Sequence, residues 1–396
     1  MNIELTMFHT VAIAVLALLL GEWIKSKIYF LEKFCIPSPV VGGLVVTVIT
    51  LIGHLTNSFT INFDFGLSDF FMLAFYTSIG FTASISLLKR GGVKTIKLLI
   101  LASILVVFQN GIGVIISKAI GVNPLVGIAT GSIPMTGGHG TSAVFAGDLE
   151  KLGLSASATI TLASATFGLV AGALTGGPLG RYLVEKSKKN KKAKSNESIN
   201  FDFSKEFENP ISPKGFEQGI FLLLLAMALG TVISSLLEKT GLTFPSSVGG
   251  MLASALIVNI KNFEKVYPIR HSEIQIFGTT SLAVFLALSM IKLKLWEIAD
   301  LAGPMLLLLF CQVALVVVFM VFIAYPIMGK DYEAAVTCSG FCGFALGAVP
   351  TGVANMRALV EKYEPAPESF FIVPLVGSLF INIVNSVVVT LFMNMV

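Results

Sequence analysis

Two stretches of this 396-residue chain carry most of the side chains suited to holding a small charged molecule. The first, Pro124 to Ala146, contains Gly131-Ser132-Ile133-Pro134-Met135-Thr136-Gly137-Gly138-His139-Gly140-Thr141-Ser142. The second, Tyr332 to Met356, contains Ser339-Gly340-Phe341-Cys342-Gly343-Phe344-Ala345-Leu346-Gly347-Ala348-Val349-Pro350-Thr351-Gly352. Both are apolar enough to enter a membrane. Neither can be one unbroken helix, because Gly costs about 1 kcal/mol and Pro about 3 kcal/mol in a helix interior. An unpaired backbone group in hydrocarbon costs several kcal/mol, so a broken segment survives only inside protein or against a water-filled cavity, a condition that re-entrant hairpins meet. The half-helices beyond Gly137 to Thr141 and Gly347 to Thr351 would aim free N–H groups and positive dipole ends at an anion. Ser132, Thr136, Gly137, Gly138, His139, Gly140, Thr141, Gly347, Pro350 and Thr351 are therefore the candidate substrate-binding residues.

Other chemistries are weaker on the same residues. His139 is a titratable group in a glycine-rich loop, suited to relaying protons or binding a carboxylate, or else to a structural hydrogen bond as a neutral imidazole. Cys338 and Cys342 form a lone Cys-x3-Cys, a poor zinc signature. Ser132 and Ser142 have no nearby acid-base pair, which disfavours an intramembrane hydrolase. Gln109-Asn110 and Gln312 are polar residues within apolar runs, able to bind a ligand or to join helices by hydrogen bonds.

The elements that must position these residues are membrane helices. The composition is 55% hydrophobic and 13% charged, about half the charge fraction of a soluble domain, and mean hydropathy is +0.86. Apolar runs of about 20 residues recur: Met7 to Ile24, Pro37 to Leu55, Phe70 to Leu88, Leu98 to Ile120 and Leu154 to Leu183, then Phe216 to Leu237, Leu242 to Ile260, Ile276 to Leu293, Ala302 to Met328 and Phe370 to Val396. The expected fold is all-α and polytopic, with about ten spans. The first run lacks a basic n-region and a cleavage site, so it reads as retained. Cys35, Cys311, Cys338 and Cys342 lie in or beside apolar segments and are expected as free thiols. The net charge of +4 resides in loops and implies membrane orientation, with no nucleic-acid partner.

The chain divides into residues 1–184, a basic and polar linker at 185–214, and residues 215–396. The halves share a pattern: Ile36-Pro37-Ser38-Pro39-Val40-Val41-Gly42-Gly43 recurs as Phe244-Pro245-Ser246-Ser247-Val248-Gly249-Gly250, Leu73-Ala74-Phe75 as Leu282-Ala283-Val284, and Gln109 matches Gln312. Five spans per half would make the second copy enter with opposite orientation, an inverted-topology repeat. The broken segments, 124–146 and 332–356, take corresponding places in the two halves, the best sequence pointer to a transporter's binding site. Lys25, Lys27, Lys33, Lys89, Arg90, Lys94, Lys97 and the linker lysines fall on one side, expected to be cytoplasmic, with both termini outside. Mixed charge after Met356 fits that pattern less well. Gly42, Gly43, Gly249, Gly250, Gly168, Gly172, Gly176 and Gly177 read as helix-packing positions.

Gly137-Gly138-His139-Gly140-Thr141, Ala165-Thr166-Phe167-Gly168-Leu169-Val170, Lys294-Leu295-Trp296-Glu297 and Cys342-Gly343-Phe344-Ala345-Leu346-Gly347-Ala348-Val349-Pro350-Thr351 closely resemble the bacterial sodium/glutamate symporter family. The resemblance covers nearly the whole chain outside the linker. It implies a homodimer of ten-span protomers in the bacterial inner membrane, with two oppositely entering re-entrant loops and an elevator-like movement. Ala345 in place of glycine, Gly340-Phe341 in place of a Gly-His pair and Asn382 in place of an aspartate depart from the family pattern.

If the substrate is glutamate, its charges need compensation, because dehydration costs several kcal/mol per ion and a helix terminus returns about 0.3 to 2 kcal/mol. No Lys, Arg, Asp or Glu lies deep inside a span, so a co-bound cation is expected. Sodium takes hard oxygen ligands, for which unwound backbone carbonyls and the side chains of Gln109, Asn110, Gln312, Asn382, Asn385, Thr136 and Thr351 are the candidates. No other cofactor is expected, and the remaining partner is membrane lipid. The rival readings are a proton-coupled or sodium-coupled transporter of another dicarboxylate or amino acid, and a membrane-embedded enzyme, which would need a nucleophile, metal or carboxylate pair.

Overall fold

The computed structural model describes residues 2–34, 36–56, 58–85, 92–189, 211–239, 246–261, 263–293 and 301–396. Cys35, Lys89, Arg90, Lys191, Lys192, Lys194, Phe244-Pro245 and Lys294 to Glu297 lie outside the described residues. In chain order the helices are α1 (Met7–Lys27), α2 (Ser38–Leu55), α3 (Ser68–Gly80), α4 (Gly92–Ala119), α5 (Pro124–Ala129), α6 (Ser132–Met135), α7 (Gly138–Lys151), α8 (Ser157–Lys189), α9 (Pro213–Glu238), α10 (Ser246–Asn259), α11 (His271–Ile291), α12 (Ala302–Met328), α13 (Tyr332–Ala345), α14 (Val349–Val360) and α15 (Pro367–Met395). Strand β1 (Asn2–Leu5) pairs in parallel with β2 (Thr60–Phe63).

Among the described residues eight helices are long and apolar enough to cross a membrane: α1, α2, α4, α8, α9, α11, α12 and α15. The other two expected spans appear as α3, 13 residues, and α10, 14 residues. Both expected runs, Phe70 to Leu88 and Leu242 to Ile260, extend into residues outside those described, 86–91 and 240–245. Large apolar side chains such as Leu225 and Phe322 are 68% and 71% exposed, as befits a surface facing lipid. The molecule is a multi-pass membrane protein.

Both glycine-rich segments break where their composition requires. The first becomes α5, α6 and α7, interrupted at Thr130-Gly131 and Thr136-Gly137; the second becomes α13 and α14, interrupted at Leu346 to Ala348. Each extends a few residues beyond the expected end, to Lys151 and Val360. Helix α12 carries a π-helical turn at Met320–Ala324, which contains Phe322, the residue whose carbonyl Pro326 would meet in a regular helix.

The chain forms two compact units, which cut across the two sequence halves. Unit 1 comprises residues 1–81, 139–163 and 211–305, and so contains α1, α2, α3, α9, α10 and α11. Its helices meet through small residues. A Cβ at Gly42 would lie 1.7 Å from the Ala17 carbonyl of α1, and one at Gly249 would lie 2.2 Å from the Gly230 carbonyl of α9. The repeated Gly-Gly motif thus packs on the preceding long helix in both halves, as close backbone approach requires.

Unit 2 comprises residues 82–138, 164–210 and 306–396. Its core joins α4, α12, α13 and α15, with Phe319, Phe341 and Phe344 packed in sequence; the Phe341 and Phe344 rings stack at 4.9 Å. Lys94, near the start of α4, pairs with Glu368 at the start of α15 at 2.5 Å. That contact places the mixed-charge loop after α14 at the same end of the unit as the basic start of α4.

Candidate binding site

The site is clearest in unit 2, where α4 runs past both breaks. Gln109 Nε2 donates to the carbonyl of Ala345, the last residue of α13, at 2.9 Å. Gln109 Oε1 accepts from Thr136 Oγ1, at the end of α6, at 2.7 Å. Its main-chain carbonyl accepts from Gln312 Nε2 of α12 at 2.7 Å. One buried side chain therefore ties the break after α6 to the break after α13.

Asn110 takes the next position. Its Nδ2 donates to Ser132 Oγ at 2.7 Å and its Oδ1 accepts from the Ser132 N–H at 3.1 Å, holding the start of α6. Asn385 of α15 donates through Nδ2 to the Ser132 carbonyl at 3.2 Å. That carbonyl also receives the N–H groups of Thr136 and Gly137. Asn382 does not join this network: its Nδ2 donates within its own helix to the Ser378 carbonyl at 2.8 Å.

Among the described residues, Gln312 Oε1, Asn385 Oδ1 and Thr351 Oγ1 of unit 2 are buried without a hydrogen-bond partner. All three residues are at least 99% buried, and an unpaired buried polar group costs about 1–3 kcal/mol. Thr351 lies in the first turn of α14, whose N-cap Ala348 contributes no side-chain hydrogen bond and whose Pro350 has no N–H. Pro350 itself is exposed.

The tips of the two segments meet. Gly138 has φ +64°, a left-handed conformation that favours glycine, and a Cβ there would lie 2.7 Å from the Gly347 carbonyl. Gly347 lies against α8, where a Cβ would come within 2.8 Å of Leu169 Cα.

His139, Gly140 and Thr141 belong to unit 1, the division falling after Gly138. His139 is buried in the first turn of α7. Thr141 Oγ1 accepts from Tyr76 OH of α3 at 3.0 Å, and a Cβ at Gly140 would touch the Phe75 ring at 3.1 Å. Gly176 packs as expected, since a Cβ there would fall 2.0 Å from Asn355 Nδ2, which donates to the Gly172 carbonyl.

Sequence patterning did not find Tyr76, Asn355 or the Ala345 carbonyl. It also missed Glu273, in the first turn of α11, which is 1% exposed and has no hydrogen-bond partner on either carboxylate oxygen. Its Oε1 would lie 2.3 Å from a Cβ at Gly215, beside the start of α9, whose positive dipole end favours a carboxylate. Among the described residues Cys311, Cys338 and Cys342 are free thiols, and no group of three His, Cys, Asp or Glu could hold a metal ion.

The sodium/glutamate symporter family model matches residues 3–365. This chain belongs to the sodium/glutamate symporter family. It is similar to the sodium/glutamate symporter of Haemophilus influenzae, 37% identical over 392 residues that cover 98% of this chain and 96% of the relative. It is equally similar to the Escherichia coli and Shigella flexneri sodium/glutamate symporters, 37% identical over 394 residues and 98% of both chains. The family consists of transporters, not enzymes, and its coupling ion is sodium.

Proposed function

We propose that this chain imports glutamate coupled to sodium, by an elevator-like alternating-access movement within a homodimer in the bacterial inner membrane. End-to-end similarity to proteins named sodium/glutamate symporters carries the substrate and the ion. The amide network across the two helix breaks carries the need for coupling. Among the described residues no Lys or Arg is buried, so nothing fixed neutralises two substrate carboxylates at these breaks. Helix termini offset only part of their dehydration, and a co-bound cation supplies the remainder.

On this reading Ser132, Thr136, Gly137, Gly138, Gly347, Pro350 and Thr351, all of unit 2, hold the substrate. Residues 1–184 and 215–396 are inverted repeats with re-entrant segments. In proteoliposomes an inward sodium gradient should drive accumulation of labelled glutamate, and replacing sodium with choline should abolish it. Accumulation driven equally well by a pH gradient without sodium would refute the coupling and favour a proton-coupled transporter. Competition with unlabelled dicarboxylates and amino acids would test the substrate.

A further inference from the structure

We propose that the coupling sodium is ligated by the amide oxygens of Gln312 and Asn385, an assignment that rests on the symport reading above. The orientation of each amide is fixed by what its nitrogen faces. Gln312 Nε2 must point at the Gln109 carbonyl and Asn385 Nδ2 at the Ser132 carbonyl, since a flipped amide would set oxygen against oxygen. Each side-chain oxygen is thereby turned to a place where no protein donor reaches it. An amide oxygen can only accept, so its partner must be a cation or an external donor.

Neighbouring groups narrow the choice. Gln109 Oε1 is held by Thr136, and Asn110 Oδ1 by the Ser132 N–H. These two residues hold the α4 and α6 backbone to which Gln312 and Asn385 donate, and their own oxygens are engaged. Asn382 donates within its helix, apart from the network. Of these five amide residues, Gln312 and Asn385 are the two whose oxygens are buried without a hydrogen-bond partner, from α12 and α15, each one hydrogen bond from the same crossing of α4 and α6. Neutral oxygens from residues beside broken helices are the kind of ligand that sodium takes in transporters. Glu273, the buried carboxylate, is a poorer candidate: it faces the positive end of α9, which repels a cation.

The test uses the full-length protein. Sodium-induced thermal stabilisation is measured in detergent without glutamate, and the half-saturating sodium for uptake is measured in proteoliposomes. Asn385→Leu and Gln312→Leu should each raise half-saturating sodium by about tenfold or more. Both should lose the sodium-induced stabilisation. Asn385→Asp and Gln312→Glu keep an oxygen at the ion at the cost of the bond to the Ser132 or Gln109 carbonyl, and should retain sodium binding but alter the discrimination between lithium and sodium. These two variants carry the test if the leucine variants do not fold.

Half-saturating sodium within about twofold of wild type in both leucine variants, or an unchanged lithium-to-sodium ratio in the acidic variants, would overturn the assignment while wild-type uptake stayed sodium-dependent. A rise in glutamate half-saturation alone would give the oxygens to the substrate ammonium and likewise overturn it. Sodium-independent wild-type uptake would remove the assignment together with the symport reading.

Discussion

Gln312 donates through Nε2 to the main-chain carbonyl of Gln109 at 2.7 Å, a direct bond between residues at matching places in the two sequence halves. Gln109 in turn contacts both breaks, through Thr136 and the Ala345 carbonyl. A change at this one side chain should therefore disturb both segments together.

Gln109→Leu should leave the Thr136 hydroxyl and the Ala345 carbonyl unpaired, at about 1–3 kcal/mol for each buried group. The expected outcome is a lowered melting temperature and uptake reduced by about tenfold or more. Gln109→Glu keeps an acceptor for Thr136 and should lie between wild type and leucine. Thermal unfolding and uptake initial rates check this; wild-type values for Gln109→Leu would mean that the network positions nothing.

Gly138→Leu and Gly347→Leu should abolish uptake, and Gly347→Leu, whose Cβ would fall 2.8 Å from Leu169 Cα of α8, should lower folded yield as well. At Gly138 a side chain meets both a φ of +64° and the Gly347 carbonyl. Gly176→Leu should lower folded yield, because the added carbon falls on Asn355 Nδ2 and disrupts α8 packing on α14. Size-exclusion profiles beside uptake separate the two outcomes, and normal transport by both tip variants would remove the glycine tips from the site.

The linker should be cytoplasmic and both termini outside, as the basic loops require. The contact between Lys94 and Glu368 places two of the charged loops together. Reporter fusions decide this, and a C-terminal fusion that fluoresces inside the cell would contradict the span count. With side chains 35% and 41% exposed, the pair itself should contribute about 0–1 kcal/mol in a double-mutant cycle of melting temperatures.

His139→Gln should preserve sodium-driven accumulation if the imidazole makes a structural hydrogen bond. Loss of gradient-driven uptake with sodium binding intact would identify a proton relay. Tyr76→Phe removes the bond to Thr141 and should cost about 1 kcal/mol of stability.

Amino-acid order alone determined the solvent and the broken segments, because hydropathy and the cost of Gly and Pro act over a few consecutive residues. The positions of Gly131, Gly137 and Gly347 suffice to place the helix breaks. Only tertiary structure decided which polar residues serve which purpose. Gln109, Asn110, Gln312, Asn382 and Asn385 are alike in composition, yet partners as far away as Ala345, 236 residues beyond Gln109, determine which oxygens are occupied. The same holds for Glu273, whose burial depends on Gly215 of another helix, and for the two units, which draw helices from both halves. Hydrogen bonds and close packing are formed between elements distant in sequence, and local pattern carries no record of where those elements meet.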